Sequence, residues 1–127
     1  MRAMVILGGD FTIQMRNLSQ SLGRGYQVPP IVFTPTTVGG AIRTLQDAAE
    51  KRQIIRVVVI HESMKADVVN DLLKNVPEDV AVVLIHSREM SAEEQKYWKD
   101  KGCREILRNP ENEVFQKVVE RVFINAG

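Results

Sequence analysis

Two runs of valine and isoleucine dominate the middle of the sequence, at Arg56–Ile60 and Val80–Ile85. Neither run alternates apolar with polar residues, so each predicts a strand that is buried on both faces. Apolar residues at helical spacing lie between the runs: Val69, Leu72, Leu73 and Val76. Pro77 then ends the helical pattern. Strand, helix and strand in this order, with both strands almost wholly apolar, indicate a parallel βαβ unit.

The same alternation continues on both sides of this unit. Further strands are predicted at Ala3–Leu7, Ile31–Thr34 and Arg104–Arg108. Helical spacing predicts inward-facing residues in three other helices: Ile13, Leu18 and Leu22 in the first, Val38, Ala41, Ile42, Leu45, Ala48 and Ala49 in the second, and Phe115, Val118, Val122 and Phe123 in the last. The fourth helix is polar and extends to about Lys101.

Residues with known capping preferences mark the helix ends. Thr12 is expected to be the N-cap of the first helix, and Ser91 with Glu94 forms a capping box for the fourth. Asn109 before Pro110 predicts an N-cap followed by proline at the first helical position. Glycines are expected to end the first and fourth helices: Gly23, Gly25 and Gly102.

Five strand–helix units with a period near 25 residues predict one α/β domain over residues 1–127. Right-handed crossovers favour a doubly wound sheet with helices on both faces, which gives three layers. The five-stranded solution of this kind is the flavodoxin-like fold, a parallel sheet with strand order 2-1-3-4-5. In such sheets, ligands and chemistry lie just beyond the carboxyl ends of the strands.

Composition excludes several classes of function. The chain has 17 basic and 16 acidic residues and a net charge of +1, so no bulk field points to nucleic acid or a membrane. Cys103 is the sole cysteine, which excludes an internal disulfide and a CxxC metal or redox site and suits a reducing cytoplasm. The apolar stretch Met1–Leu7 is too short for a signal peptide or a membrane span.

The unit count and three junctions resemble the receiver domain of two-component response regulators over the whole chain. The junction residues are Asp10-Phe11-Thr12 after the first strand, Lys101-Gly102-Cys103 before the fifth, and Asn109-Pro110 after it. The resemblance implies a receiver-like fold. It also implies that the fourth helix, fifth strand and fifth helix form a surface for a protein partner or a homodimer.

The phosphorylation residues of that family do not carry over. Their positions fall on Gly9 and Asp10 (the acidic pair), His61 with Glu62 beside it (the phosphoacceptor aspartate), His86 or Ser87 (the switch residue), and Asn109 with Arg108 beside it (the lysine). Aspartyl phosphorylation needs a carboxylate nucleophile, a Mg²⁺ held by oxygen ligands and a cation for the transferring group. We therefore expect a pseudo-receiver that keeps the fold and lacks this chemistry. A one-residue shift at the end of the third strand would instead bring Glu62 to the acceptor position.

Two histidines directly follow the two central strands. If these strands are neighbours, His61 and His86 lie about 5 Å apart, near Asp10. This set would suit a metal or a pH-sensitive cluster. The favoured interpretation is that each imidazole bonds a loop carbonyl, because no HxH or HExxH spacing accompanies them.

Tyr97 and Trp98 are adjacent on the polar fourth helix, so they point about 100° apart and one ring is expected to face solvent. An exposed ring there would anchor a partner. The alternative is that both rings fold over the flank of the helix and cover the core. Arg104 and Arg108 are expected to extend a basic edge near the same surface. Cys103 is expected to be a buried structural thiol.

These observations predict a non-catalytic signalling or scaffolding module that acts by protein–protein contact, without a cofactor or a bound metal. The first alternative is a small-ligand or metal sensor that uses Asp10, His61 and His86. A small enzyme at the same edge and a structural subunit of a larger machine remain open as further alternatives.

Overall fold

The computed structural model describes residues 2–8, 10–24 and 30–126. Its elements are β1 (Arg2–Val5), α1 (Thr12–Ser21), β2 (Ile31–Phe33), α2 (Val38–Glu50), β3 (Val57–His61), α3 (Ala66–Lys74), β4 (Ala81–His86), α4 (Ala92–Asp100), β5 (Cys103–Arg108) and α5 (Asn112–Ala126). Gly9 and the predicted stop at Gly25 lie outside the described residues. No helix in the described ranges is both long enough and apolar enough to cross a membrane.

The five strands form one parallel sheet in the order β2-β1-β3-β4-β5, which confirms the predicted fold. β3 lies at its centre with β4 beside it, and all residues of both strands are buried, as expected for strands covered on both faces. The register shifts once, between Val82 and Val83. Val82 pairs with Cys103 and Val83 with Glu105, so Arg104 is the extra residue of a bulge in β5.

The core has two halves, one on each face of the sheet. One half packs α1 and α5 against the strands around Val59 and Ile85. The other packs α2 and α3, with the partly buried Trp98 of α4, against Ile60 and Leu84. Neighbouring residues of a strand point to opposite faces, so the register of β3 and β4 decides which half each side chain enters.

Two predicted caps and two predicted core positions are wrong: Ala49 is exposed on α2, and Ile13 is exposed on α1. Thr12 lies inside α1, and its hydroxyl donates to the carbonyl of Leu7 at 2.9 Å; Phe11 occupies the N-cap position without a side-chain cap. α5 begins at Asn112, so Asn109 is not its N-cap. The side chain of Ile13 is 79% exposed, because the inner face of α1 is centred on Met15 and Leu18 instead.

Other local predictions are confirmed. The hydroxyl of Ser91 accepts the amide N–H of Glu94 at 3.2 Å and caps α4. Phe115, Val118, Val122 and Phe123 are all buried on α5. Cys103 is 3% exposed, and burial raises the pKa of its thiol to about 11. Both central strands end one residue later than predicted, so His61 and His86 are the last residues of β3 and β4.

Candidate functional site

The two histidines point to opposite faces of the sheet. His61 pairs with Ile85, and His86 pairs with Arg108 one step further along. By alternation along the strands, His61 shares the face of Val59, on the side of α1 and α5, and His86 lies on the other side. The described residues contain no group of three His, Cys, Asp or Glu side chains that would hold a metal ion. Asp10, His61 and His86, the set proposed by the alternative interpretation of the sequence, do not come together as such a group.

His61 is fully buried at the carboxyl end of β3. The ring of Phe11 covers it, with 4.3 Å between the ring centroids and 21° between the planes. Burial lowers the pKa of the His61 imidazole, and the charge of His86 lowers it further, whereas the carboxylates of Glu62 and Asp10 act in the opposite direction. The net effect favours the neutral ring.

The hydrogen bonds of His61 define its tautomer. The backbone N–H of Ser63 donates to Nδ1 at 3.0 Å, so Nδ1 is the unprotonated nitrogen. The Ser63 hydroxyl lies 2.9 Å from the same atom and donates to it, while accepting the amide N–H of Asp10 at 3.2 Å. Nε2 then bears the proton and donates to the hydroxyl of Ser87 at 3.4 Å.

The network continues from Ser87 across the top of the sheet. The Ser87 hydroxyl donates to the side-chain oxygen of Gln14 at 3.3 Å, and the Gln14 amide donates to the side-chain oxygen of Asn109 at 3.4 Å. Asn109 in turn donates to the Ser87 carbonyl at 3.2 Å. Asn109 has a positive φ of 40°, a conformation that asparagine tolerates better than most residues. Neutral groups thus join α1 to the loops that follow β3, β4 and β5.

Glu62 takes part in a separate ion-pair cluster. One of its carboxylate oxygens lies 3.3 Å from Nε of Arg88, and the side chain is only 10% exposed. Arg88 also pairs with Glu94 at the start of α4, and this contact lowers the pKa of the Glu94 carboxyl. Alternation along the chain places Glu62 on the opposite side from His61. The cluster ties the β3–α3 loop to the β4–α4 loop.

His86 uses the opposite tautomer. Its Nδ1 lies 2.6 Å from the carbonyl oxygen of Arg88. A carbonyl only accepts, so Nδ1 of His86 bears the proton. The expectation that each histidine bonds a loop carbonyl is correct for His86. It is wrong for His61, whose partners are an amide N–H and two hydroxyls.

A cleft of about 310 Å³ opens beside this site, between the first turns of α2 and α3. Polar and charged residues line its rim: Asp10, Thr36, Thr37, Ser63 and Lys65. Ile6 and Met64 contribute apolar surface. Its size lies at the lower end of the range for small-molecule pockets, roughly 300–1,000 Å³.

The expected partner surface combines α4 with the edge strand β5. Tyr97 is 48% exposed, whereas Trp98 packs partly buried against the core, so the predicted division between the two rings is confirmed. The Nζ atom of Lys101 lies 4.8 Å from the centroid of the Tyr97 ring. Arg104 and Arg108 are both exposed on β5.

Three contributors to the site were not predicted from sequence: Ser63, Gln14 and the ring of Phe11. Ser63 follows His61 by two residues, a spacing that allows the Ser63 amide to bond the imidazole in a turn. This contact could therefore have been predicted from the local sequence. Gln14 carried no such signal, since its partners are 73 and 95 positions away along the chain. Gly9 lies outside the described residues.

Solved receiver domains share this architecture. The chain superposes with TM-score 0.76 and 18% identity on a two-component system response regulator/GGDEF domain protein, covering 99% of this chain and 50% of that one. It matches the signal receiver domain of a LuxO repressor protein from Vibrio parahaemolyticus with TM-score 0.74 and 16% identity, covering 99% and 93%. The phosphorylated cyanobacterial phytochrome response regulator RcpA gives TM-score 0.72 and 13% identity, covering 100% and 98%.

No family model matches the sequence, and no curated protein matches it. The chain spans half of the response regulator/GGDEF protein and almost the whole of the two other structures. At these identities the likeness defines the fold alone: the chain has a receiver-like fold.

Proposed function

We propose that this chain is a pseudo-receiver, a non-enzymatic signalling or scaffolding module that acts in the cytoplasm through protein–protein contacts, independently of aspartyl phosphorylation. The observation that supports this most is the buried, neutral His61 at the end of β3, where the resemblance expects the phosphoacceptor aspartate. An imidazole whose Nδ1 accepts from Ser63 and whose Nε2 donates to Ser87 offers no carboxylate oxygen to a phosphoryl donor.

The neighbouring carboxylates support the same proposal. Glu62 follows the strand end, but its carboxylate is held by Arg88 on the other side of the sheet from His61. A phosphoryl transfer site also needs oxygen ligands for Mg²⁺ and a cation at the transferring group. Asn109 is neutral and bonded to Gln14 and Ser87 where the resemblance expects that cation.

The test is a titration with Mg²⁺ and beryllofluoride, monitored by amide NMR, with an ordinary receiver domain as the positive control. Beryllofluoride mimics an aspartyl phosphate only at a receptive carboxylate and metal site. We expect no saturable shifts at Asp10, Glu62 or Ser87. Saturable shifts there would refute the pseudo-receiver, and their loss in the Glu62→Gln variant would identify Glu62 as the acceptor.

We place the partner contact on the face of α4, β5 and α5. Tyr97 offers a large exposed ring that is held by Trp98, at 5.5 Å between centroids, and by Lys101. Rigid aromatic side chains with charged neighbours are frequent anchors of protein interfaces. Arg104 and Arg108 provide exposed positive charge on the same edge of the sheet.

A photo-reactive amino acid in place of Tyr97 tests this face in living cells, and the same group in place of Ile13 is the matched control. Ile13 is more exposed but lies on α1, on the other side of the sheet. We expect a discrete cross-linked product from position 97, whose mass separates a homodimer from a second protein. Cross-linked products from position 13 alone would indicate that the partner binds the face of α1 instead.

The cleft beside the site supports a second candidate, a small-ligand sensor. Its rim carries a carboxylate from Asp10, an ammonium from Lys65 and the hydroxyl of Ser63, which also bonds His61. A ligand that binds only the native state raises its melting temperature by mass action. A compound screen by thermal shift, followed by NMR shifts confined to the cleft, would favour this candidate over a purely protein-binding module.

A further inference from the structure

The hydrogen bonds of His61 restrict how the ring can accept a proton. Nδ1 is the basic nitrogen, and it faces two donors from one residue, the amide and the hydroxyl of Ser63. Nε2 already donates to Ser87, so a proton that reaches the ring must bind Nδ1.

We propose that His61 is a proton-operated latch on the β3–α3 loop, closed when the imidazole is neutral and opened when Nδ1 binds a proton. The two Ser63 groups respond differently to that event. The hydroxyl can rotate and accept from Nδ1–H. Its oxygen has two lone pairs, and the Asp10 amide uses only one of them. The backbone N–H cannot reverse. It would face another N–H, so it must leave the ring.

The opening is confined to one side of the ring. Nε2 bears a hydrogen in both protonation states, so its bond to Ser87 persists. The Glu62–Arg88 pair does not involve the ring nitrogens. Protonation therefore releases the backbone amide of the Ser63 turn, which borders the cleft, while the Ser63 hydroxyl and the β4–α4 loop stay bonded to the ring.

The charges around His61 set the conditions for opening. Glu62 on its own loop and Asp10 on the β1–α1 loop favour the charged ring, and His86 at the end of β4 disfavours it. The groups that pack here from other elements are neutral: Gln14 from α1 and Asn109 from the β5–α5 loop. Phe11 covers the face of the His61 ring. Burial outweighs the carboxylates, so the latch stays closed at neutral pH and opens on acidification.

The tautomers of the two histidines give the first test, on the unmodified chain. With ¹⁵N-labelled histidine, long-range ¹H–¹⁵N spectra at pH 8 should show Nε2–H for His61 and Nδ1–H for His86. As the pH is lowered, the Ser63 amide resonance should shift with the midpoint of His61, and the Ser87 amide should shift much less. Amide exchange at Ser63, relative to its intrinsic rate at each pH, should rise roughly fivefold, the factor for losing one ordinary hydrogen bond.

A pair of variants completes the test. His61→Asn places an amide oxygen near the position of Nδ1 and cannot take up a proton, so the Ser63 response should disappear. His86→Asn removes the other histidine, on the opposite face, and should keep the response. Three results would each overturn the latch. His61 could carry its proton on Nδ1 at pH 8, the Ser63 amide resonance could stay unchanged while His61 titrates, or the His61→Asn variant could show the same Ser63 response.

Discussion

The ring of Phe11 lies directly on the imidazole of His61, with 4.3 Å between centroids and only 21° between the planes. Phe11 is itself 39% exposed, so one face of its ring meets solvent while the other covers a fully buried base. The Phe11 side chain therefore covers one face of the His61 imidazole, while Asp10 and Asn109 of the same site are exposed.

Removing that ring should raise the pKa of His61. In the Phe11→Ala variant, water reaches the imidazole and weakens the desolvation that is the largest cause of the lowered pKa. Histidine NMR titration measures the change. Ile13→Ala, an exposed apolar truncation in the helix that Phe11 precedes, should leave the midpoint unchanged. A lower midpoint in Phe11→Ala would mean that attraction between the ring and an imidazolium dominates instead.

The folding stability should depend on pH through His61. Its folded-state pKa is lowered, so the unfolded chain binds this proton more readily below about pH 6.5. The contribution of neutral His61 to folding stability is therefore fully present above that pH and is lost as the pH falls toward the folded-state pKa. Urea unfolding of the wild type and of His61→Asn should show a difference in the free energy of unfolding that is constant from pH 7.5 to 9. In acid, the wild type should lose stability relative to the variant. A difference that does not vary with pH would contradict the lowered pKa.

Arg88 should contribute more to folding stability than Glu94, its exposed partner. Arg88→Gln leaves Glu62 without its cation, and that carboxylate is only 10% exposed, whereas Glu94→Gln leaves Arg88 still paired with Glu62. An uncompensated, poorly hydrated charge is costly, so Arg88→Gln should lower the free energy of unfolding more than Glu94→Gln does. Adding Glu62→Gln to Arg88→Gln should restore part of the loss. Equal effects of the two single variants would show that Glu62 remains well hydrated.

Phe115 should be a major source of stability. It is fully buried on α5, among the side chains of α1 and the central strands. Phe115→Ala should cost about 3–5 kcal/mol in denaturant unfolding, the usual range for a truncated core phenylalanine. Val114, the preceding and exposed residue, gives the control: Val114→Ala should change stability by less than about 0.5 kcal/mol.

Cys103 should be inert in the folded protein. It is 3% exposed, and its thiol pKa of about 11 leaves almost no thiolate at neutral pH. A disulfide reagent at pH 7.5 should therefore modify it only at the rate of unfolding, and rapidly in urea. Fast modification of the native chain would show that the loop before β5 opens readily.

The fold could be predicted from the sequence because buried apolar residues recur at short, regular spacing along the chain. Continuous apolar runs marked β3 and β4, and helical spacing marked the inner faces of α2 and α5, so the sheet order followed from general rules of handedness. The division between Tyr97 and Trp98 followed from the same helical geometry. The strands, the inner helix faces and the division between the two rings each depend on neighbours within a few residues.

The sequence by itself also determined which residue types stand at the strand ends, an imidazole at His61 and a neutral amide at Asn109. Only the tertiary structure decided what they contact. Strand register sent His61 and His86 to opposite faces, since one residue of offset reverses a side chain. Asn109 bonds Gln14 from 95 positions away instead of capping α5. Local preference is encoded in short stretches of chain, whereas polar partners at a sheet edge are chosen by how separate loops align in space.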